Sequence, residues 1–532
     1  MKRTLSLLLS LLMLVALIPA SAEEATVITV SGPDSVNSLW GETLTIQELQ
    51  KRTNTRWDIT LYPADVWKTK LNLLITSDAL PDIVFKADAD KSEINIYGEE
   101  GYFLDLSKYL DIMPNLCKIF EEHPDYKAYH TTESGAIYSL ANLSIYPGQR
   151  VQPLVYLNKT WLDNLGLTYP ETVEELYTVL KAFKEQDANG NGDPNDEIPI
   201  SFDTSAGARL EHVLRAAFGI YTSELDLMYQ VGSDGKVYLA ETTEDFKDYL
   251  TFMHRLYAEG LLDETTFIQT AEERREKVVN NQVGMFSDWG GLSASTCGQN
   301  VPEAYDTWAW VNGFGSEKHE KAYAGWPLVN AGAKIMVNAK TEHPEEICKM
   351  IDYMFTDEYV TLYDYGVEGQ TFEYITTESG AKIPAIMKSA WEGKYDSEAA
   401  FKDQYINVTQ LMVMYYSAYY KVCGAAGEEE LQKMKLDPIL CNNANREEFV
   451  RTTNMVDTYP RFSYNTEEAE VQGRYKTDLT TYLNTMRVAF ITGEANLETD
   501  WDNYQNTIRS MSLDKLLAAE QSAYDRYAAN LK

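Results

Sequence analysis

One stretch of the chain, DANGNGDPNDE (residues 187–197), sets three Asn, two Gly and four carboxylates into eleven positions. So many oxygen donors could cradle a phosphate, hold a metal ion, or make a polar turn. The phosphate reading fails on four counts. Asn195 stands where a dinucleotide fingerprint needs its third Gly, no G-K-[ST] follows, the loop leaves a helix instead of a strand, and the carboxylates would repel a phosphate. A hard cation such as Ca2+ takes about six to eight oxygens, and Asp187, Asn189 and Asn191 offer them at positions 1, 3 and 5 of a loop. Gly192 falls at position 6, where the turn is sharp, and Asp193 at position 7 can give a carbonyl or a carboxylate. Position 12 is Ile198, where an EF-hand carries a bidentate Glu, so closure comes early, through Asp196 and Glu197. The alternative is an Asn/Gly/Asp turn that binds nothing. A Ca2+ held this way would be structural, because these ligands leave no open position for chemistry.

Aromatic side chains are the second chemical signal. The chain has 10 Trp and 36 Tyr, and several Trp lie beside Gly or Pro where segments change character: SLWGE, SDWGG, AGWPL. Sugar rings present C–H faces that stack on aromatic rings while carboxylates and amides take the hydroxyls, so carbohydrate sites favour this mixture. Trp57, Trp161 and Trp501 read as core, whereas Trp289, in a Gly-rich turn after a strand, is a candidate to line a cleft. Catalytic signatures are thin. There is no G-x-S-x-G and no H-E-x-x-H, and the six His show no ligand spacing. The expectation is a binding protein and not an enzyme; the rival reading is a secreted, calcium-stabilised glycoside hydrolase or lyase with paired carboxylates.

The export reading comes from the first residues. Lys2 and Arg3 precede an apolar run, Leu5 to Pro19, and Ala20-Ser21-Ala22 forms a small-x-small site before Glu23, so residues 1–22 read as a signal peptide. That run is shorter than the ~20 residues a bilayer span needs. The mature chain is therefore expected outside the cytoplasm, extracellular or at the cell surface. A lipidation Cys is missing from the end of the signal. Net charge is -35, from 46 basic and 81 acidic residues, a field that repels phosphate backbones and excludes nucleic acid as a partner. Five scattered Cys make no disulfide framework; Cys423 and Cys441 are the one near pair.

Such sites need elements to hold them. Alternation in TVITVS (26–31) reads as strand, followed by a helix over 42–54, a strand over 57–63, a helix with Trp67, Leu71 and Leu74 on one face, and a strand over 81–87. That order implies a parallel α/β layer with right-handed crossovers. Residues 170–187 begin with the capping box Thr172-x-x-Glu175 and carry Leu176, Val179, Leu180 and Phe183 at helical spacing, feeding straight into the polar loop. Further strands are expected at 282–289 and 333–339, a helix at 343–355 starting from Pro344, and mostly amphipathic helix from about 376 onward.

Together these pieces resemble the carbohydrate-type extracellular solute-binding proteins (family 1), the capture components of ABC importers. TSDALPDIVF, GAIYSLA, LVYLNKTWLDNLGL, the capped helix with its loop, QVGMFSDW, DYGVEGQTFEY and FITGEANLETDWDNY carry the resemblance over nearly the whole mature chain. The resemblance is strongest to the long subgroup with alginate-oligosaccharide-binding and lipoprotein-like receptors. It implies an α/β, two-lobe, periplasmic-binding-protein-like (type II) fold, with mixed sheets flanked by helices and a helix-rich second lobe. Approximate lobe spans are 23–152 with 287–375, and 153–286 with 376–532. Hinge closure on an oligosaccharide, delivery to permease subunits and a monomeric state are also implied. Relatives with this loop hold structural Ca2+, and Asp187, Asn189, Asn191, Asp193, Asp196 and Glu197 match their ligands, with the Asp-Glu pair one residue later. Trp289 and Glu368 match segments that line the family's cleft; Trp40, Trp326 and Tyr365 are further ligand-binding candidates from local context.

Overall fold

A computed structural model describes residues 24–34, 40–143, 150–151, 154–203, 208–222, 227–288, 291–299, 303–327, 329, 332–396, 398–407, 449–450 and 452–531. Two four-stranded sheets organise the chain. In the first, β1 (Thr26–Pro33), β2 (Thr55–Tyr62), β3 (Ile83–Ala89) and β11 (Ala333–Val337) lie in the order β11-β3-β1-β2. Strand β1 pairs in parallel with β2 and β3, as strand-helix-strand units require, while β11 returns antiparallel to β3. Trp67, Leu71 and Leu74 are buried on the helix Trp67–Thr76, as their spacing predicts.

The second sheet has β4 (Leu154–Asn158), β5 (Ile198–Ile200), β8 (Val283–Asp288) and β9 (Trp308–Trp310) in the order β5-β8-β4-β9. All five residues of β4 are buried, which is why it reads as an unbroken apolar run. The capped helix spans Val173–Glu185, and both capping-box bonds form: Glu175 N–H donates to Thr172 Oγ1 and Thr172 N–H to Glu175 Oε2, each at 3.2 Å. Its Phe183 meets Trp161 edge-on, with ring centroids 5.2 Å apart. Trp57, Trp161 and Trp501 are buried, as read from the sequence. A small hairpin, β6 (Tyr229–Val231) with β7 (Val237–Leu239), joins this lobe, and the helices Thr466–Thr492, Trp501–Ser510 and Leu513–Asn530 complete its core.

Lobe boundaries fall later than the sequence reading placed them. Strand β9 pairs with β4, and Leu292, Trp308, Val311, Phe314 and Tyr323 all sit in the second lobe's core, so the return crossing comes after residue 324 instead of near 287. Residues 376–407 also stay with the first lobe. Strands β12 (Phe372–Thr376) and β13 (Lys382–Ile386) make a hairpin where helix was expected, and Thr45 Oγ1 donates to the carbonyl of Ile406 at 2.6 Å. The hairpin's polar turn, TTESG, splits two runs too short to show alternation.

Three crossing segments lie side by side. Strand β10 (Tyr323–Ala324) pairs in parallel with β14 (Met455–Val456). Arg150 binds the next residues of both: its Nε donates to the Trp326 carbonyl at 3.0 Å and its Nη2 to Asp457 at 2.5 Å, while Trp326 N–H donates to the Arg150 carbonyl at 2.7 Å. Such a narrow strip between two separately packed lobes is the geometry of a hinge.

The DYGVEGQTFEY segment caps the helix Asp357–Tyr365 with Gly366 at φ 84° and ψ -130°, where a Cβ would also lie 2.4 Å from Thr371 Oγ1. Replacing Gly366 with Ala should lower stability by about 1–3 kcal/mol. Thermal unfolding followed by circular dichroism will show this as a lower Tm with an unchanged folded spectrum.

Candidate functional site

Between the lobes, three cavities of about 510, 700 and 390 Å3 run along one segment, Val456 to Thr466, which leaves the hinge and enters the helix Thr466–Thr492. Both lobes contribute walls. The 510 Å3 cavity takes Asp90, Lys91, Ser92 and Tyr129 from the first lobe, Leu227, Tyr229 and Glu520 from the second, and Tyr459 to Phe462 with Tyr464 from the crossing strap. Tyr464 N–H donates to Ser92 Oγ at 2.9 Å, a direct bond from the strap to the first lobe. Local sequence explains the strap's shape: Pro460 removes one backbone donor, and Asn465 starts the next helix with a capping box to Glu468.

Aromatic rings dominate the second lobe's wall. Tyr459 lies 5.9 Å from Tyr229 and 6.4 Å from Tyr524, and its edge meets Phe462 at 5.5 Å. Glu520, 1% exposed, accepts from Tyr459 Oη at 3.0 Å, from Gln472 Nε2 at 2.9 Å and from the Tyr464 hydroxyl. Cations come mainly from the other side. Arg461 lies over the Trp326 ring at 5.4 Å, and burial, then neighbouring Lys86 and Arg461, pull Lys334 down to about 8. Lys91 is 4% exposed and donates to Asn95 Oδ1 and Ser139 Oγ, both at 2.9 Å, and burial pushes its pKa down to about 7.

The carboxyl ends of β5 and β8 are fixed by a buried ion cluster. Arg274 donates to Asp203 at 2.8 Å and Asp288 at 2.6 Å, and Arg275 adds a bond to Asp288 at 3.0 Å. Trp289 follows Asp288 directly and lies outside the described residues, as do Cys423, Cys441 and the signal segment.

The five ligand-binding candidates scatter. Trp326 is half-buried at the hinge beside the 700 Å3 cavity, whose walls include Arg150, Pro327 and Arg461. Trp40 is 1% exposed in the first lobe's core, fitted against Gly32, where a Cβ would lie 2.5 Å from the indole. Tyr365 is likewise 1% exposed, packed on Phe372 at 5.6 Å, and Glu368 is exposed on the turn ahead of the β12–β13 hairpin. Trp40, Tyr365 and Glu368 line none of the three cavities. Glycine neighbours suggested a turn at Trp40, but Gly32 makes a slot for the ring. Sequence reasoning passed over Tyr129, Tyr229, Tyr459, Arg461, Tyr464 and Glu520. The available signal was TYPRFSY (458–464), an aromatic run with Pro and Arg just ahead of a capping box.

On the loop after the capped helix, Asn189, Asn191, Asp196 and Glu197 are linked by hydrogen bonds, Asp187 accepts from Gly192, and Asp193 accepts from Asn195. Gly192 N–H donates to Asp187 Oδ2 and Asn189 Nδ2 and Asn191 Nδ2 to the two oxygens of Asp196, all at 2.9 Å, while Asn189 N–H reaches Glu197 Oε1 at 3.4 Å. Gly190 and Gly192 take φ of 73° and 92°, the left-handed turns that positions 4 and 6 of such a loop need. Asp187 Oδ1 and Glu197 Oε2 are buried without a hydrogen-bond partner, and burial raises the Glu197 pKa. Among the described residues no three His, Cys, Asp or Glu gather to hold a metal, so an ion here would draw on amide and backbone oxygens too.

Two α/β lobes, three adjacent crossings and a polar-aromatic cleft define a protein that closes around a solute. The chain belongs to the bacterial extracellular solute-binding protein family, whose model matches residues 40–361. It is 29% identical over 495 residues to the fructooligosaccharide ABC transporter substrate-binding protein FusA of Streptococcus pneumoniae, covering 92% of this chain and 88% of FusA. The structure of FusA in complex with kestose superposes with TM-score 0.71 at 25% identity, over 95% of this chain and 100% of that one. A FusA EF-hand mutant in complex with fructo-nystose gives 0.72 at 24%, with the same coverage, and alginate-binding protein AlgQ2 without calcium ion gives 0.65 at 20%, over 95% of this chain and 99% of that one. The fold is accordingly of the type II solute-binding kind. Among the described residues no helix is long and apolar enough to cross a membrane.

Lys91 yields a pH test. Its folded pKa lies below its unfolded value of 10.5, so the cost of burying the charge is fully present below about 7 and is relieved as pH rises towards 10.5. Stability of the wild type relative to Lys91→Met should rise between pH 7 and 9.5, by at most about 1.4 kcal/mol per pH unit. Urea denaturation of both proteins across that range measures the slope.

Proposed function

We propose that this protein captures an oligosaccharide between its lobes and delivers it to the permease subunits of an ABC importer, acting as a binding protein without covalent chemistry. The observation that carries this reading is the inter-lobe cleft. Tyr129, Tyr229, Tyr459 and Tyr464 line it beside the charged Lys91, Arg461 and Glu520, offering ring faces for sugar C–H groups and polar atoms for hydroxyls. Support comes also from FusA, whose name gives it fructooligosaccharides as ligand. Trp289, Trp326 and Glu368 stay as ligand contacts to be tested, as do Trp40 and Tyr365, for which a role behind the cleft fits their burial better. Calorimetric titration against a glycan panel headed by kestose tests the reading. Micromolar or tighter binding of an oligosaccharide is expected; tight binding of peptides alone, or release of product from a polysaccharide, would overturn it.

The second part of the proposal is a structural Ca2+ in the loop from Asp187 to Glu197. Two buried carboxylate oxygens without partners, on Asp187 and Glu197, support it, since such atoms cost about 1–3 kcal/mol each when left unpaired. Asp187, Asn189, Asn191, Asp193, Asp196 and Glu197 would hold the ion. Turning the two Asn amides by 180° would set their oxygens toward Asp196, an arrangement that a cation between them makes favourable. The ion would pin the start of β5 and take no part in binding the sugar. Chelator should lower Tm and added Ca2+ restore it, with about 2.7 kcal/mol of stabilisation at a hundredfold excess over Kd. In Asp187→Ala that response should vanish; an equal Tm with chelator and with Ca2+ in the wild type would exclude the site.

A further inference from the structure

Glu520 is an anomaly in its surroundings. Its carboxylate is 1% exposed on the helix Leu513–Asn530, and its hydrogen-bond partners are the Tyr459 and Tyr464 hydroxyls and the Gln472 amide, with no Arg or Lys hydrogen-bonded to it among the described residues. Burying an ionised carboxylate without a bonded cation is costly, and a Gln or Leu of similar size would remove the charge. Burial raises its pKa, and burial, with the Glu520 charge second, holds both tyrosine hydroxyls above their ordinary value. Two other buried carboxylates of this lobe sit against arginine, Glu211 with Arg487 and Glu468 with Arg526, while Glu241 accepts the Met228 N–H.

What the charge holds is the strap. Tyr459 and Tyr464 flank Pro460 to Ser463, and both line the 510 Å3 cavity together with Glu520 itself. One end of the strap is tied at the hinge through Asp457 and Arg150. Near the other, Arg526 donates to the Ser463 carbonyl at 2.9 Å and Tyr464 N–H reaches Ser92 of the first lobe. Between these ties, described side-chain bonds from the strap to the second lobe converge on this one carboxylate.

We propose that Glu520 is a positioning residue for ligand capture: by accepting both tyrosine hydroxyls it fixes the strap from Tyr459 to Tyr464 as the aromatic wall on which the ligand is received. The nature of the ligand rests on the carbohydrate reading above; the positioning role does not. Hydrogen bonds to a charged acceptor are stronger than those to a neutral one, so weakening them should loosen the strap by about tenfold or more in its opening equilibrium. Removing the buried charge should not lower global stability.

The test compares wild type, Glu520→Gln, Tyr459→Phe with Tyr464→Phe, and the triple variant, in two measurements. Hydrogen exchange without ligand should speed about tenfold at amides 459–464 in Glu520→Gln, with Tm unchanged or higher. Kestose or the best glycan of the panel should bind about tenfold more weakly to Glu520→Gln and to the double Phe variant, and the triple variant should lose no more than either. Unchanged exchange at the strap, additive losses in affinity, or exchange that speeds throughout the second lobe together with a fall in Tm would overturn the proposal. If the wild type binds no glycan, the carbohydrate reading falls, while the exchange measurement still decides the role of Glu520.

Discussion

The tie made by Arg150 is the constraint on which the arrangement of the molecule depends. Each lobe packs its own hydrophobic core, and the two meet through the three segments that pass between them and where the helices Thr466–Thr492 and Leu513–Asn530 touch Lys91–Glu99 and Pro124–His130. A guanidinium offers five N–H donors in a planar fork, and here one fork reaches a backbone carbonyl on the second crossing and a carboxylate on the third, from a residue on the first. Asp457 is well exposed, with 88% of its side chain accessible, so this pair adds little stability. Its contribution is registration: the three crossings move as one strip, and the strap that leaves Asp457 enters the cleft at a fixed place.

Charge placement separates the scaffold from the parts that bind. With 81 acidic residues to fold, the chain pairs its deeply buried carboxylates with arginine: Asp203 and Asp288 share Arg274, and Glu211 faces Arg487. Breaking such a pair from one side costs about 3–5 kcal/mol, which makes these clusters rigid supports at the ends of β5 and β8 and under the long C-terminal helices. Glu520, Asp187 and Glu197 depart from that pattern. The first is held by hydroxyls on the cleft wall, and the other two keep an oxygen without partner in the Asn/Gly loop. Glu241, held by the Met228 N–H, and Asp352, held by Asn115 and the Leu116 N–H, likewise lack a bonded cation among the described residues, so it is the open cleft wall and the partnerless oxygens that mark the two proposed docking places.

Sequence periodicity made the first lobe legible because its strands and helices alternate in single, well-spaced units, and the capping box at Thr172 placed the helix that feeds the polar loop. Lobe boundaries were less readable. A chain that crosses three times has no composition shift at the second and third crossings, and β9, with three residues, is too short to show a period. The loop proposed to hold a cation can be read residue by residue, since its oxygen donors are adjacent in sequence. Cleft residues were not: Lys91, Tyr229, Tyr459 and Glu520 come from four distant segments, and their meeting is a property of the lobes' packing. The burial of Trp40 could not be read from its neighbour Gly41, because the glycine that admits the ring is Gly32, on β1.

The Asn/Gly loop and the arginine cluster sit at opposite ends of one strand. Strand β5 has three residues, pairs with β8 at Ile198–Val283 and Ile200–Met285, and bridges Leu262 on its other side. Both of its ends carry further ties. Glu197 immediately before it is buried in the Asn/Gly loop, and Asp203 just after it is locked to Arg274. An ion in the loop would fix the entry to β5, and the arginine cluster fixes its exit, where β8 also ends. Separating the two tasks this way lets the second lobe stay rigid through closure, because the cation site lies away from the hinge and from the strap, and neither has to break its bonds when the cleft opens.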